Sequence, residues 1–267
     1  MAKFKKLLIT GAAGGLGTQL RANVSHLADS VRLTDIADLG VAHSHEEIVQ
    51  CDLGDYDAVI KLTEDVDAIV HMGGIALENT FENILNANIR GTYNLYESAR
   101  RRGIKRVVYT SSNHSIGYYA REDMIDSTVQ HRPDSLYGVS KAFGEDLARY
   151  YYDKFGIETV VIRIGSCFEE PRDRRMLATW MSYRDFFQLI ERSLTVPRVG
   201  YLVVYGISDN DEIFWDNKAA KVLGYRPVDN AEKFRDAIEA KTPAPDAQDP
   251  AVKFVGGGFC AAGHYEE

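Results

Sequence analysis

Cysteine is scarce and unpatterned. Cys51, Cys167 and Cys260 stand far apart, so neither a disulfide framework nor a cysteine-built zinc site is indicated, and a reducing, cytoplasmic setting fits best. The seven histidines show no ligand spacing, which leaves metal-dependent hydrolysis without support and no metal expected. No apolar run approaches a membrane span, and residues 1–6 run directly into a strand without a signal-peptide core. Positive charge is also short. A formal net charge of −8 argues against nonspecific nucleic-acid binding and against adhesion to anionic membranes. It leaves a small anionic substrate open, because local arginines decide that. Against these absences stand 45% hydrophobic and 26% charged residues over 267 positions, an ordinary globular composition with enough apolar content for a large core.

Apolar runs and helical spacings alternate along the first two-thirds of the chain. Residues 7–9 read as a buried strand ending at Thr10-Gly11, followed by a helix over 14–26 with Leu16, Leu20 and Val24 in register. Strands are expected at 31–33, 48–52, 68–71, 106–110 and 159–162, with helices over 79–102 and 136–155. This rhythm predicts an α/β fold, a Rossmann-type doubly wound parallel sheet joined by right-handed crossovers. Beyond residue 165 the rhythm loosens into a helix over 180–194, a strand at 201–205 and helices over 216–223 and 231–240. The expected division is a dinucleotide-binding core, 1–165, and a small C-terminal substrate-side annex with tail, 166–267, integrated with the core. From Thr242 the tail is rich in Pro, Ala and Gly, a loose end or a segment that packs on a neighbouring subunit.

The turn after the first strand is Gly11-Ala-Ala-Gly14-Gly15-Leu16-Gly17. Gly11 permits the tight turn, Gly14 lets backbone approach a pyrophosphate, and Gly17 lets the helix sit close to the sheet. Such a triplet occurs in unrelated proteins too; its place between strand and helix is what singles it out. Asp35, 18 residues beyond Gly17, ends the second strand, where a carboxylate accepts from ribose hydroxyls and repels a 2′-phosphate. With no Lys or Arg in the glycine turn, NAD is favoured over NADP. Asp52-Leu53 falls where adenine would lie, and Gly73-Gly74-Ile75 offers backbone to the cofactor. Each of these also reads as an ordinary strand end or turn.

Tyr137-Gly-Val-Ser-Lys141 places a phenol and an ammonium on one helix face. A cation beside a tyrosine eases loss of a proton whose ordinary pKa is about 10. Thr110-Ser111-Ser112 ends the preceding strand, so a serine hydroxyl stands ready to bond a reacting oxygen. The combination is hydride-transfer machinery. By chance alone a Tyr and a Lys at this spacing occur in many surface helices; the glycine turn and the serines set this pair apart.

Thr-Gly-x-x-Gly-x-x-Gly, Asp35, Asp52-Leu53, Asn88, Ser-Ser and Tyr-x-x-x-Lys follow the order seen in the extended short-chain dehydrogenase/reductase superfamily, which the chain resembles. Within it, Ser111-Ser-Asn-His114, Ile116-Gly-Tyr-Tyr119, Arg163-Ile-Gly-Ser-Cys167, Arg175-Met-Leu177 and Trp215-Asp-Asn217 are similar to the bacterial uronate dehydrogenases. That resemblance implies NAD-dependent oxidation of C1 of D-glucuronate or D-galacturonate to an aldarolactone. It implies Tyr137 as the base, Lys141 lowering its pKa and holding the nicotinamide ribose, and Ser112, the second of its pair, on the reacting oxygen. Asn88 and Ser166 would lie on the cofactor side. Ala76, Asn113 and His114 would face the sugar, with His114 equally readable as a structural histidine. Of Arg172, Arg174 and Arg175, the last matches the family segment and is expected to grip the carboxylate. A homo-oligomer is implied as well. Two rivals remain. A nucleotide-sugar epimerase or dehydratase shares the Tyr–Lys pair, but Asn113-His114 stands where dehydratases carry an acidic pair. A non-catalytic dinucleotide-sensing regulator ordinarily lacks the intact Tyr-x-x-x-Lys.

Overall fold

Leu7, Leu8 and Ile9 are all inaccessible to solvent, because the first strand lies inside a sheet covered on both faces. The computed structural model describes residues 4–265, so residues 1–3, part of the expected run into the first strand, lie outside it. Strands β1 (Phe4–Thr10), β2 (Ala28–Thr34), β3 (Glu46–Ile48), β4 (Ala68–His71), β5 (Arg106–Ser112) and β6 (Glu158–Ile164) precede a two-stranded ladder, β7 (Ser166–Cys167) with β8 (Trp180–Met181); β9 (Tyr201–Gly206) follows. The main sheet is parallel throughout, in the order β3-β2-β1-β4-β5-β6-β9. Chain beyond residue 165 therefore supplies the last strand of this sheet.

The helices are α1 (Gly15–Arg21), α2 (Tyr56–Leu62), α3 (Phe81–Ile84), α4 (Gly91–Arg102), α5 (Leu136–Phe155), α6 (Met176–Thr179), α7 (Tyr183–Thr195), α8 (Arg235–Lys241), α9 (Pro250–Lys253) and α10 (Gly258–Ala261). Side chains alternate across each strand. Leu7 and Ile9 pack with Leu20 of α1 and Phe186, Leu189 and Ile190 of α7. Leu8 packs on the other face with Val59, Leu95, Tyr96, Ala148 and Tyr151 from α2, α4 and α5. At β1 the strand order reverses direction, which opens a crevice at the carboxyl ends of β1 and β4.

Several boundaries differ from the sequence expectation. The third strand pairs over Glu46–Ile48 rather than 48–52; beyond it, Val49 and Cys51 still donate to Leu33 and Asp35, carrying the chain to the crevice. The helix expected over 79–102 is α3 and α4 joined by a wider π turn, Leu85–Arg90. Trp180-Met181 is extended as β8, and the next helix starts after Ser182, whose hydroxyl accepts from Asp185 N. Helix α5 is capped at its start by Ser135, whose hydroxyl accepts from Gly138 N, and at its end by Gly156, with φ of 66°. No helix among the described residues is long and apolar enough to cross a membrane.

Candidate active site

A single cavity of about 1230 Å³ runs from the crevice between β1 and β4 to α6 and the C-terminal chain. One end is lined by Gly11, Gly14, Gly15, Leu16, Gly17, Asp35, Asp52, Leu53, Gly73, Gly74 and Ile75. Gly17 is required there: a Cβ would run into the Gly11 carbonyl, so only glycine lets α1 approach the turn this closely. The first-turn N–H groups of α1 have neither an acidic neighbour nor a side-chain cap, and they are left for an anion. Asp35 is fixed at the end of β2, its two oxygens accepting from Ala13 N at 3.0 Å and Ala37 N at 3.1 Å. Asp52 accepts from Gly54 N at 2.8 Å. A glycine cradle for a pyrophosphate beside a held carboxylate fits NAD, and the carboxylate repels a 2′-phosphate.

Next along the cavity are Ser112, at the end of β5, and Tyr137 and Lys141, one turn apart on α5. Lys141 Nζ donates to Thr110 O at 2.9 Å and lies 5.6 Å from the Tyr137 ring centre. Burial dominates the net shift of the phenol. Burial pushes Tyr137 up to about 12, with the Ser112 hydroxyl pulling down and the Asp134 charge adding to the rise. Burial pushes Lys141 down to about 8, against the pull of Glu145. The Lys141 ammonium is itself committed to a backbone carbonyl. Both backbone ends of Tyr137 are tied: its N–H donates to Glu78, and its carbonyl accepts from Ser140 Oγ at 2.7 Å.

Arg175, His114, Ser166, Ala76 and Phe259 line the same cavity, and Ser166, expected on the cofactor side, bonds Arg175. Arg175 Nε donates to Val255 O at 2.8 Å and Nη1 to Ser166 Oγ at 3.3 Å. No carboxylate among the described residues lies within ion-pairing distance of it, and burial, aided by the nearby Arg121, lowers its pKa to about 10. The other two arginines part company: Arg174 pairs with Glu239 away from the cavity, while Arg172 lines the cavity with its guanidinium over Phe168. His114 Nδ1 lies 2.7 Å from Asp134 Oδ2, so a buried carboxylate fixes the imidazole and leaves its other nitrogen for the cavity.

Two residues expected to touch ligand do not line the cavity. Asn88 Oδ1 accepts from Ile75 N at 2.7 Å, and its amide donates to Ile75 O and Ser140 Oγ, so it clamps the loop after β4 to α5. Asn113 is buried beneath the site. With its amide oriented to satisfy its neighbours, it donates to Ile164 O and Gly165 O and accepts from Arg175 Nη2 at 2.8 Å. Four residues that support the site lie outside the motifs. Asp134-Ser135 has the look of a helix start and gave a usable signal. Glu78 and Phe259 gave none, since their partners are remote in sequence.

The model of the NAD dependent epimerase/dehydratase family matches residues 7–182. The uronate dehydrogenase of Pseudomonas putida is 52% identical over 263 residues, which cover 98% of each chain. Among solved structures, glucuronic acid dehydrogenase from Chromohalobacter salexigens is 54% identical with a TM-score of 0.96, over 97% of this chain and 98% of that one. A tyrosine-to-alanine mutant of uronate dehydrogenase from Agrobacterium tumefaciens, complexed with NAD, is 50% identical with a TM-score of 0.96, over 99% and 100%.

Proposed function

This chain belongs to the NAD-dependent epimerase/dehydratase family and, within it, to the uronate dehydrogenases, and from that premise we propose that it oxidises C1 of D-glucuronate or D-galacturonate to the aldarolactone with NAD. The observation that carries the substrate class is Arg175: a half-buried guanidinium with no carboxylate within ion-pairing distance among the described residues, opening on the same cavity as Tyr137. Burying a cation unpaired is costly, and a substrate carboxylate removes that cost.

Gly14, Gly15, Leu16 and Gly17 would hold the pyrophosphate and Asp35 the adenosine ribose. Bound NAD supplies the hydride acceptor and a ring positive charge. Tyr137 Oη takes the proton of the C1 hydroxyl, whose oxygen becomes the lactone carbonyl as C1 gives up hydride. Ser112 bonds that oxygen and holds it beside the phenol. Lys141 Nζ lies 5.6 Å from the centre of the phenol ring, and its charge favours the phenolate. Asn113 and Ser166 steady the Arg175 fork, while His114, braced by Asp134, meets the ring hydroxyls.

The reading carries with it a homo-oligomer, supported by the exposed Tyr93, Val139 and Tyr150 on α4 and α5. It also places the protein in the cytoplasm, supported by three unpaired thiols. Replacing Arg175 by Ala tests the carboxylate assignment. Loss of a charge-assisted contact should raise KM for glucuronate about 10- to 100-fold with KM for NAD unchanged. An unaltered glucuronate KM would remove Arg175 from the site.

A further inference from the structure

The chain from Phe254 to Cys260 comes back to the cavity at the end of the annex, and it is firmly held there. Phe254 pairs with Ala120 in an antiparallel bridge. Val255 N donates to Tyr119 O at 3.0 Å and Gly256 N to Gly117 O at 2.9 Å. Arg121 reaches across to donate from Nε to Phe254 O and from Nη2 to Ala251 O. Val255 itself is fully buried. A segment fixed at so many points is a strap, not a loose end.

This strap backs onto both polar side chains at the substrate end. Val255 O accepts from Arg175 Nε. Gly257 has φ of +66°, and a Cβ there would lie 2.7 Å from Arg175 Cδ and 2.8 Å from its Nε. A Cβ at Gly256 would run into the carboxylate of Asp134, which holds His114. Phe259 lies against His114 with ring centres 3.9 Å apart, and its ring centre is 6.3 Å from that of Tyr137. The bare Gly256-Gly257 pair thus leaves room for the two side chains, and the aromatic ring next to it closes the cavity over them.

We propose that the strap is a specificity-determining element for the carboxylated sugar: Val255 and Gly257 set the Arg175 fork, and Phe259 forms the apolar wall over His114. The inference rests on the reading of Arg175 as the carboxylate grip. Gly257 is then a positioning residue, acting through Arg175 and not through the cofactor.

The test is steady-state kinetics of Gly257→Ala, Arg175→Ala and the double variant with glucuronate, alongside NADH binding by fluorescence. Gly257→Ala should raise the glucuronate KM by about tenfold or more with a smaller change in kcat, and the NADH Kd should stay within about twofold. In the double variant the KM should be no worse than in Arg175→Ala alone, because the two residues act as one unit. An unchanged KM in Gly257→Ala, or multiplying effects in the double variant, overturns the proposal. If Arg175→Ala raises KM while Gly257→Ala does not, the strap inference alone fails. If Arg175→Ala changes nothing, the carboxylate reading fails beneath it. Should Gly257→Ala lose NADH binding through misfolding, Phe259→Ala decides: a KM for glucuronate raised about fivefold or more with NADH binding intact supports the strap, and an unchanged KM overturns it.

Discussion

Glu78 accepts the backbone N–H of Tyr137 at 2.9 Å, and its other oxygen accepts that of Leu136 at the same distance. A carboxylate from the loop after β4 therefore caps the helix that carries Tyr137, the proposed base. Loop and helix are bolted together a second time through Asn88, which bonds both Ile75 and Ser140. Loss of the Glu78 cap should let Tyr137 drift from the reacting carbon. Glu78→Ala is expected to lower kcat by about tenfold, or about 1.4 kcal/mol of barrier, and to lower Tm by a few degrees, for a lost cap worth about 1 kcal/mol. Stopped-flow turnover at saturating substrate checks this; full kcat with a lowered Tm would reduce Glu78 to a purely structural cap.

The Tyr137–Lys141 pair sets the pH dependence. As the proposed base Tyr137 acts as phenolate, and its pKa is pushed up to about 12 by burial. The active form therefore grows as pH rises, so kcat/KM should climb through the alkaline range. Lys141, pushed down to about 8 by burial, carries its charge below that pH and loses it above. A unit charge 5.6 Å from the ring centre in a medium of effective dielectric about 20 is worth about 3 kcal/mol, or about two pKa units. Lys141→Met should consequently cost roughly a hundredfold in kcat/KM below pH 8 and less above it. A pH–rate profile merely scaled down, with no change of shape, would contradict this.

Under the site, Glu145 ties together the elements that carry the chemistry. It pairs with Arg163 of β6 at 2.8 Å, accepts from Ser111 at 2.5 Å and from Ser115 at 3.1 Å, and meets His131 at 3.0 Å. Burial alone raises its pKa, but the His131 bond, Arg163 and Ser111 overcome that and hold it at about 2. Since the folded value lies below the ordinary 4.5, its stabilisation is fully present above pH 4.5 and is lost as pH falls through about 2. Glu145→Gln should lose on the order of 3 kcal/mol at neutral pH, by stranding Arg163, and show a flatter decline between those limits. Urea unfolding across that range measures both. Parallel curves for the two proteins would show that Glu145 carries no such linkage.

The frame of this molecule is legible from short-range patterns. Apolar runs such as Leu7-Leu8-Ile9 gave the strands, and the glycine turn, Asp35 and Tyr137-x-x-x-Lys141 announced their places because each is a local motif at a strand end or on one helix face. Register-sensitive details were less accessible. The third strand is short because pairing with β2 depends on the partner, and the π turn around Asn88 answers to Ile75 and Ser140, far off in the chain. The C-terminal strap was harder still. Val255, Gly256 and Phe259 have small or isolated side chains with no periodicity, and their partners Arg175, Asp134 and His114 lie some 80 to 145 residues away. The rise of the phenol pKa is not legible either, since spacing along a helix reveals a neighbouring cation but not the burial that opposes it.

The most direct measurement is NADH absorbance after free D-glucuronate is added to protein and NAD, with the sugar product followed by NMR. Net NADH should accumulate in step with an aldarolactone, Tyr137→Phe should be silent, and the neutral parent sugar glucose should be a far poorer substrate. An interconverted sugar with no net NADH, or undiminished turnover in Tyr137→Phe, would contradict the account.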